Sequence, residues 1–256
     1  MVDSNPATNV LDDEELEPPD RPDFRRVGKG TPFVLNPEGK RTRYGRPSQA
    51  GKILDDESGL TDWKLRTLVI GAAYSPEQMA LASTLDPQAN KKELRDIAEE
   101  CLKAGKAQER TVKGVAVHSM FDHLDRHDDW HPAPQWMDLC ANYLATLELW
   151  GLVPVDIEVH CINDEFRLAG SMDRRYRTTK ILVAPDGSII PIGSMIAADT
   201  KTGAALEYAS GTYVTQLAAY VDSLRYNVQT DEREPFEPPT FQDWALVVHA
   251  DSGGTE

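Results

Sequence analysis

The stretch IAADTKTG, residues 196–203, ends an apolar run with an acid, skips one residue and places a lysine. Side chains alternate faces along an extended strand, so Asp199 and Lys201 point the same way. A carboxylate and an ammonium held side by side form either a salt bridge or half of a catalytic site. Asp173 lies inside another predicted strand. If the two strands pair, both carboxylates meet at one edge of the sheet with Lys201 beside them. Hard divalent ions such as Mg²⁺ and Mn²⁺ take oxygen ligands, and two carboxylates plus a backbone carbonyl suffice to anchor one. An adjacent lysine can orient the attacking water and stabilise charge as a phosphodiester is hydrolysed. The plain salt bridge competes with this reading, because D-x-K occurs by chance at many strand ends.

Other residues join the pair. YVTQLAAY puts Gln216 and Tyr220 four positions apart, on one helical face. GVAVH carries His118 on an upstream helix, with Gly114 four positions before it. The order G-x-x-x-H, G-x-x-D (GSMD, residues 170–173), D-x-K-T-G and Q-x-x-x-Y resembles the RecB-type branch of the PD-(D/E)XK nucleases. It is especially similar to the CRISPR-associated RecB-like exonucleases of actinobacterial phages. The likeness includes YGRPSQAGKILDDESGLTDWKLR and ALVVHADSGGTE, and so covers roughly residues 44–256.

The resemblance implies a metal-dependent deoxyribonuclease, of exonuclease type, acting on single strands or duplex ends. Asp173 and Asp199 would hold the ion with the Thr200 carbonyl. His118 would be a further ligand, tilting preference from Mg²⁺ towards Mn²⁺. Lys201 would act on the water. Gln216 and Tyr220 would orient the site or touch the DNA backbone, and Glu158 would join the metal shell. Phage or host recombination proteins are the implied partners. Some relatives hold an iron–sulfur cluster on four cysteines; with Cys101, Cys140 and Cys161 alone, none is expected here. The phage relatives continue with a further strand and helix, which implies a shortened form or a fragment. A rival reading is a module that kept the fold, lost turnover and holds DNA ends or a recombination protein. An endonuclease cutting flaps or RNA would share the chemistry.

These residues need elements to position them. Residues 1–45 lack periodicity and read as disordered, an acidic tail followed by a basic arm. Residues 46–256 read as one nuclease domain, with a helical part over 46–151 and a sheet core with the motif helix over 152–250. The first helix offers Trp63, Leu65, Leu68, Val69 and Ala72 as its apolar side. A second opens with Ser75, Pro76 and Gln78 in capping-box order. A third spaces Leu94, Ile97, Cys101 and Leu102 for burial, a fourth carries His118, and a fifth ends at Gly151. Two strands over VDIEVHCIND and FRLAGSMDRRYR, a hairpin around Pro185–Gly187, the D-x-K strand, a sixth helix over residues 211–227 and a last strand DWALVVHA follow. This order implies an α/β (α+β) fold with a mixed sheet flanked by helices. The run RRYR after Asp173 reads as a charged outer face or a basic lip for a single strand. His123, His127 and His131 repeat every four residues, but Pro132 and the surrounding aspartates mark a wet helix end instead of a metal site.

Bulk composition narrows the classes. A chain of 256 residues has room for a substantial core. No apolar run reaches the roughly 18 residues of a membrane span, and the scattered cysteines read as reduced thiols of a cytoplasmic protein. A net charge of −15 argues against a general nucleic-acid coat. The charge is uneven, however: residues 1–20 hold seven acids and no base, and residues 21–52 hold nine bases against two acids.

Overall fold

The first strands form where charge dominates the sequence. In the computed structural model, which describes residues 22–28, 30–55, 58–105, 109–126, 129–202, 206 and 210–250, β1 (Arg26–Val27), β2 (Thr31–Leu35) and β3 (Arg41–Arg43) make an antiparallel sheet. Over these residues the expectation of disorder is corrected. Phe24, Val34 and Tyr44 are buried with Ile162, Ala169 and Tyr226, so the large sheet supplies the other half of a core that the segment cannot build alone. The acidic tail at 1–20 lies outside the described residues.

A short helix, α1 (Pro47–Ala50), and a 3₁₀ turn lead into α2 (Ser58–Ala73), α3 (Pro76–Ala82) and α4 (Lys91–Ala104). The expected apolar side of α2 is corrected in part, with Trp63, Leu68 and Ala72 only half-buried. Thr67 and Gly71 are its buried residues, while Leu65 and Val69 face outward. A Cβ on Gly71 would fall 1.6 Å from the Cys101 carbonyl oxygen, so the small residues make the crossing with α4 and the large ones are turned away. On α4, Ile97 and Cys101 are buried as their spacing implies. Ser75 precedes α3, but its side chain makes no capping hydrogen bond.

Next come α5 (Glu109–Arg126), α6 (Met137–Trp150), the long strands β4 (Leu152–Asn163) and β5 (Leu168–Thr178), and a small hairpin, β6 (Leu182–Val183) with β7 (Ile189–Ile190). They are followed by β8 (Met195–Lys201), α7 (Ser210–Val221), β9 (Leu224–Tyr226), β10 (Arg233–Glu234) and β11 (Leu246–His249). The sixth helix is thus shorter than its apolar pattern implied, and Leu224–Tyr226 leaves it to pair with Cys161–Ile162. The six-stranded sheet has the order β10-β9-β4-β5-β8-β11, antiparallel except for β11 against β8. The fold is therefore a mixed sheet flanked by helices.

Six of the seven residues of β8 are buried, because both faces are covered. Ile196 and Ala198 pack towards α5 and α6 with Phe121, Tyr143 and Tyr176, whereas Ala197 packs with Tyr220 and Val221 of α7. Among the described residues no helix is long and apolar enough to cross a membrane.

Candidate metal centre

Alternation fails at one place on β4 and β5, and the chemistry-bearing residues collect there. Met172 packs on the α7 side with Tyr220, yet Arg174, two residues on, bonds to α5. The partner strand breaks at the same level. Val159 packs on the α7 side, and Asp156, three residues earlier, meets Arg175, whose guanidinium lies 4.4 Å over Phe236 of the same cluster. Between them Glu158 has φ 53°, a left-handed conformation that costs a non-glycine residue on the order of 1–3 kcal/mol. The kink brings Glu158, Asp173 and His118 of α5 together: one ligand atom from each lies within 4.8 Å of the others, a group that could hold a metal ion.

Asp199 of β8 stands beside this group and outside the three that share the 4.8 Å spacing. Ala198 pairs with Arg174, so one step further Asp199 faces Asp173 across the strands, where the Asp173 charge acts on it. Burial, and then the Asp173 charge, push the Asp199 carboxyl up to about 7, against the opposing pull of Lys201. Lys201 pairs with Asp199 Oδ2, so the two do share a side of the strand. Gln216 Nε2 donates to Asp199 Oδ1 at 2.8 Å. The Thr200 N–H donates to Asp173 Oδ2 at 2.9 Å, so Thr200 is bound into the site through its amide. His118 Nδ1 lies 3.4 Å from Asp173 Oδ2. Burial pushes the His118 pKa down despite Asp173, which keeps the ring neutral and able to offer a lone pair. Asp199 Oδ2 meets only the Lys201 ammonium, and Thr200 Oγ1 and Gln216 Oε1 are buried without a hydrogen-bond partner. Two facing carboxylates, a neutral imidazole and unmatched oxygens fit a divalent cation.

The two motif glycines have steric reasons. A Cβ on Gly170 would meet the Tyr220 hydroxyl at 2.9 Å and Pro47 Cδ at 3.1 Å, and one on Gly114 would meet Thr202 Oγ1 at 3.0 Å. Gly170 therefore lets α7 close on β5, and Gly114 lets α5 approach the end of β8, one turn before His118. Gly203 of the D-x-K-T-G motif lies outside the described residues. Tyr220 is 3% exposed and Gln216 6%, so both sit under the site and neither offers a surface to a DNA backbone.

Other expectations change. RRYR is neither an outer face nor a lip, for Arg174 and Arg175 are 0% and 1% exposed. Arg174 reaches across to α5, to Asp125 at 2.8 Å and Asp122 at 2.6 Å, and Arg175 holds Asp156 at 2.6 Å. Asp122 and Asp125 follow His118 on α5 at helical spacing, so this clamp fixes the register that presents the imidazole to Asp173. His123 stacks on Trp130 and His131 turns to the Asp129 carbonyl, while His127 lies outside the described residues.

Two contributors were missed. Tyr213 carries the Lys201 ammonium 5.0 Å from its ring centroid. It precedes Gln216 by three and Tyr220 by seven, so helical spacing could have found it. Asp55 accepts the Thr212 amide at 3.0 Å and the Thr212 hydroxyl, capping α7 from a distant segment. No local signal announces that contact. Compared with known proteins, the chain matches no family model, no curated protein and no solved structure.

Proposed function

We propose that the chain is a divalent-metal-dependent deoxyribonuclease with a PD-(D/E)XK core, trimming DNA from its ends. The observation that carries this reading is the convergence of His118, Glu158 and Asp173 at the kink of β4 and β5, with the Asp199–Lys201 pair of β8 beside them. His118, Glu158, Asp173 and Asp199 would hold Mg²⁺ or Mn²⁺, with the imidazole favouring Mn²⁺. When bound, the ion supplies positive charge to the scissile phosphate and acidifies nearby water.

The chain's own groups do the rest. Gln216 fixes the rotation of the Asp199 carboxyl. The Thr200 amide fixes Asp173. Lys201 stands between Asp199 and the Tyr213 ring, where its ammonium can orient the attacking water and stabilise charge on the phosphate.

Linear and circular DNA, single- and double-stranded, incubated with and without Mn²⁺ test this directly. The expected result is Mn²⁺-dependent shortening of linear DNA only, slowed at least a hundredfold in Lys201→Ala. Equal digestion by that variant overturns the mechanism. Binding without cleavage in any divalent metal establishes the end-binding module instead. Digestion of the circles moves the reading to an endonuclease.

A further inference from the structure

The basic segment contains an ordered row that the metal centre does not use. Arg25 lies opposite Phe33, whose amide donates to the Arg25 carbonyl at 2.7 Å, and Phe33 pairs in register with Arg43. Directly opposed residues of antiparallel strands share a face, so Arg25, Phe33 and Arg43 stand side by side across three chain segments. The inner face is taken by Pro32 and Val34, which are buried, so the row is on the outside. Arg25 and Arg43 are exposed, Phe33 is half-buried, and the Arg25 guanidinium lies 5.6 Å from the Phe33 centroid.

Two of the nearby acids are already engaged, while Glu38 is exposed in the turn between β2 and β3. Asp23 is paired with Arg26, and Asp231 with Arg41 in a bidentate bridge. Arg25, Arg43 and the exposed Lys40 have no acid partner among the described residues. A cleft of about 170 Å³ beside Phe33 is lined by Arg25 and Arg41 together with the paired acids Asp23 and Asp231. In a chain of net charge −15 this is a local reversal of sign, organised around an aromatic face.

We infer that this outer face binds single-stranded DNA, with phosphates on Arg25 and Arg43 and a base stacked on Phe33. Guanidinium–aromatic–guanidinium is the arrangement a single strand requires: charge at the spacing of the backbone, and a π-face that any base can cover. An acidic peptide would use the arginines and leave Phe33 idle. The sheet docks near the metal centre, because Gly45 bridges to Leu168 at the start of β5 and Asp173 lies five residues along that strand, about 17 Å away. The inference rests on the nuclease reading for its role, since a strand held here can be fed towards the site, but not for its test.

The test is fluorescence anisotropy of labelled oligo(dT) 20-mer on the full chain in EDTA, where no cleavage occurs. Arg25→Ala/Arg43→Ala is expected to weaken binding about tenfold and to flatten the log–log salt slope by about 1.4, the value for two single-strand phosphates. Phe33→Leu keeps apolar packing, loses the π-face, and is expected to cost about five- to tenfold with the salt slope unchanged. Lys92→Ala, a cation removed from α4, leaves affinity unaltered. The inference is overturned if the wild type does not bind, if Phe33→Leu binds equally well, or if poly-glutamate displaces the oligonucleotide as readily as unlabelled DNA does. Row-dependent binding without Mn²⁺-dependent cleavage sinks the nuclease reading alone, and cleavage with binding indifferent to the row sinks this one alone.

Discussion

Asp173 and Arg174 are neighbours in β5, yet they lead to charged regions of opposite logic. Arg174 stands between two carboxylates, donating to Asp125 and Asp122, and Tyr143 adds a hydroxyl to Asp125 at 2.7 Å. The buried polar atom left over in that network is a donor, Arg174 Nη1. At Asp173 the carboxyl faces that of Asp199, which Lys201 pairs, and the atoms left over are the oxygens Thr200 Oγ1 and Gln216 Oε1. A region that separates its acids with a guanidinium is built to hold the fold together. A region that sets two acids against each other with a single ammonium, Lys201, has room for a further positive charge.

The largest expected effect tests the structural half. Arg174→Met leaves Asp122 and Asp125 buried without their guanidinium, and urea unfolding should register a loss of about 3–5 kcal/mol. A loss below about 1 kcal/mol would mean the clamp is not what fixes α5 on the sheet.

The packing between the regions comes next. Gly170→Ala forces a methyl against the Tyr220 hydroxyl and should cost about 1–3 kcal/mol. Adding Tyr220→Phe should restore part of that, because the first atom met is the hydroxyl oxygen. Additive losses in the double variant would show that another contact decides.

The smallest effect tests the cation-poor half. In the metal-free protein Asp199 keeps its proton up to about 7, whereas the unfolded chain releases it near the ordinary value of 3.8. Between those values the folded state binds more protons, so stability falls as pH rises through this window. Asp199→Asn should flatten that fall and, in EDTA at pH 7.5, stabilise the chain by about 1 kcal/mol while abolishing metal-dependent activity. A variant as steep as the wild type in thermal melts from pH 4 to 7.5 would place the titration elsewhere.

Much of the site was legible because it obeys simple periods. Asp199 and Lys201 share a strand side, Gln216 and Tyr220 share a helical face, and Asp173 meets Asp199 once the strands pair. The fold class followed from helices preceding strands. What stayed hidden broke a period or came from far away. The resemblance named Glu158, but nothing in EVH announces its left-handed backbone or the break that puts Met172 and Arg174 on opposite faces. RRYR reads as solvated because charge is costly to bury; only partners 49 and 52 residues away make its first arginine an interior residue. The order in residues 24–44 was invisible because its three apolar anchors, Phe24, Val34 and Tyr44, complete a core that lies elsewhere in the chain.

The most direct measurement is a Mn²⁺ titration of metal-free protein followed by electron paramagnetic resonance. A metal centre at the kink predicts one tightly bound ion per chain, lost in Asp173→Asn and retained in Arg25→Ala/Arg43→Ala. No tight ion in the wild type, or the same ion held equally by Asp173→Asn, would contradict it.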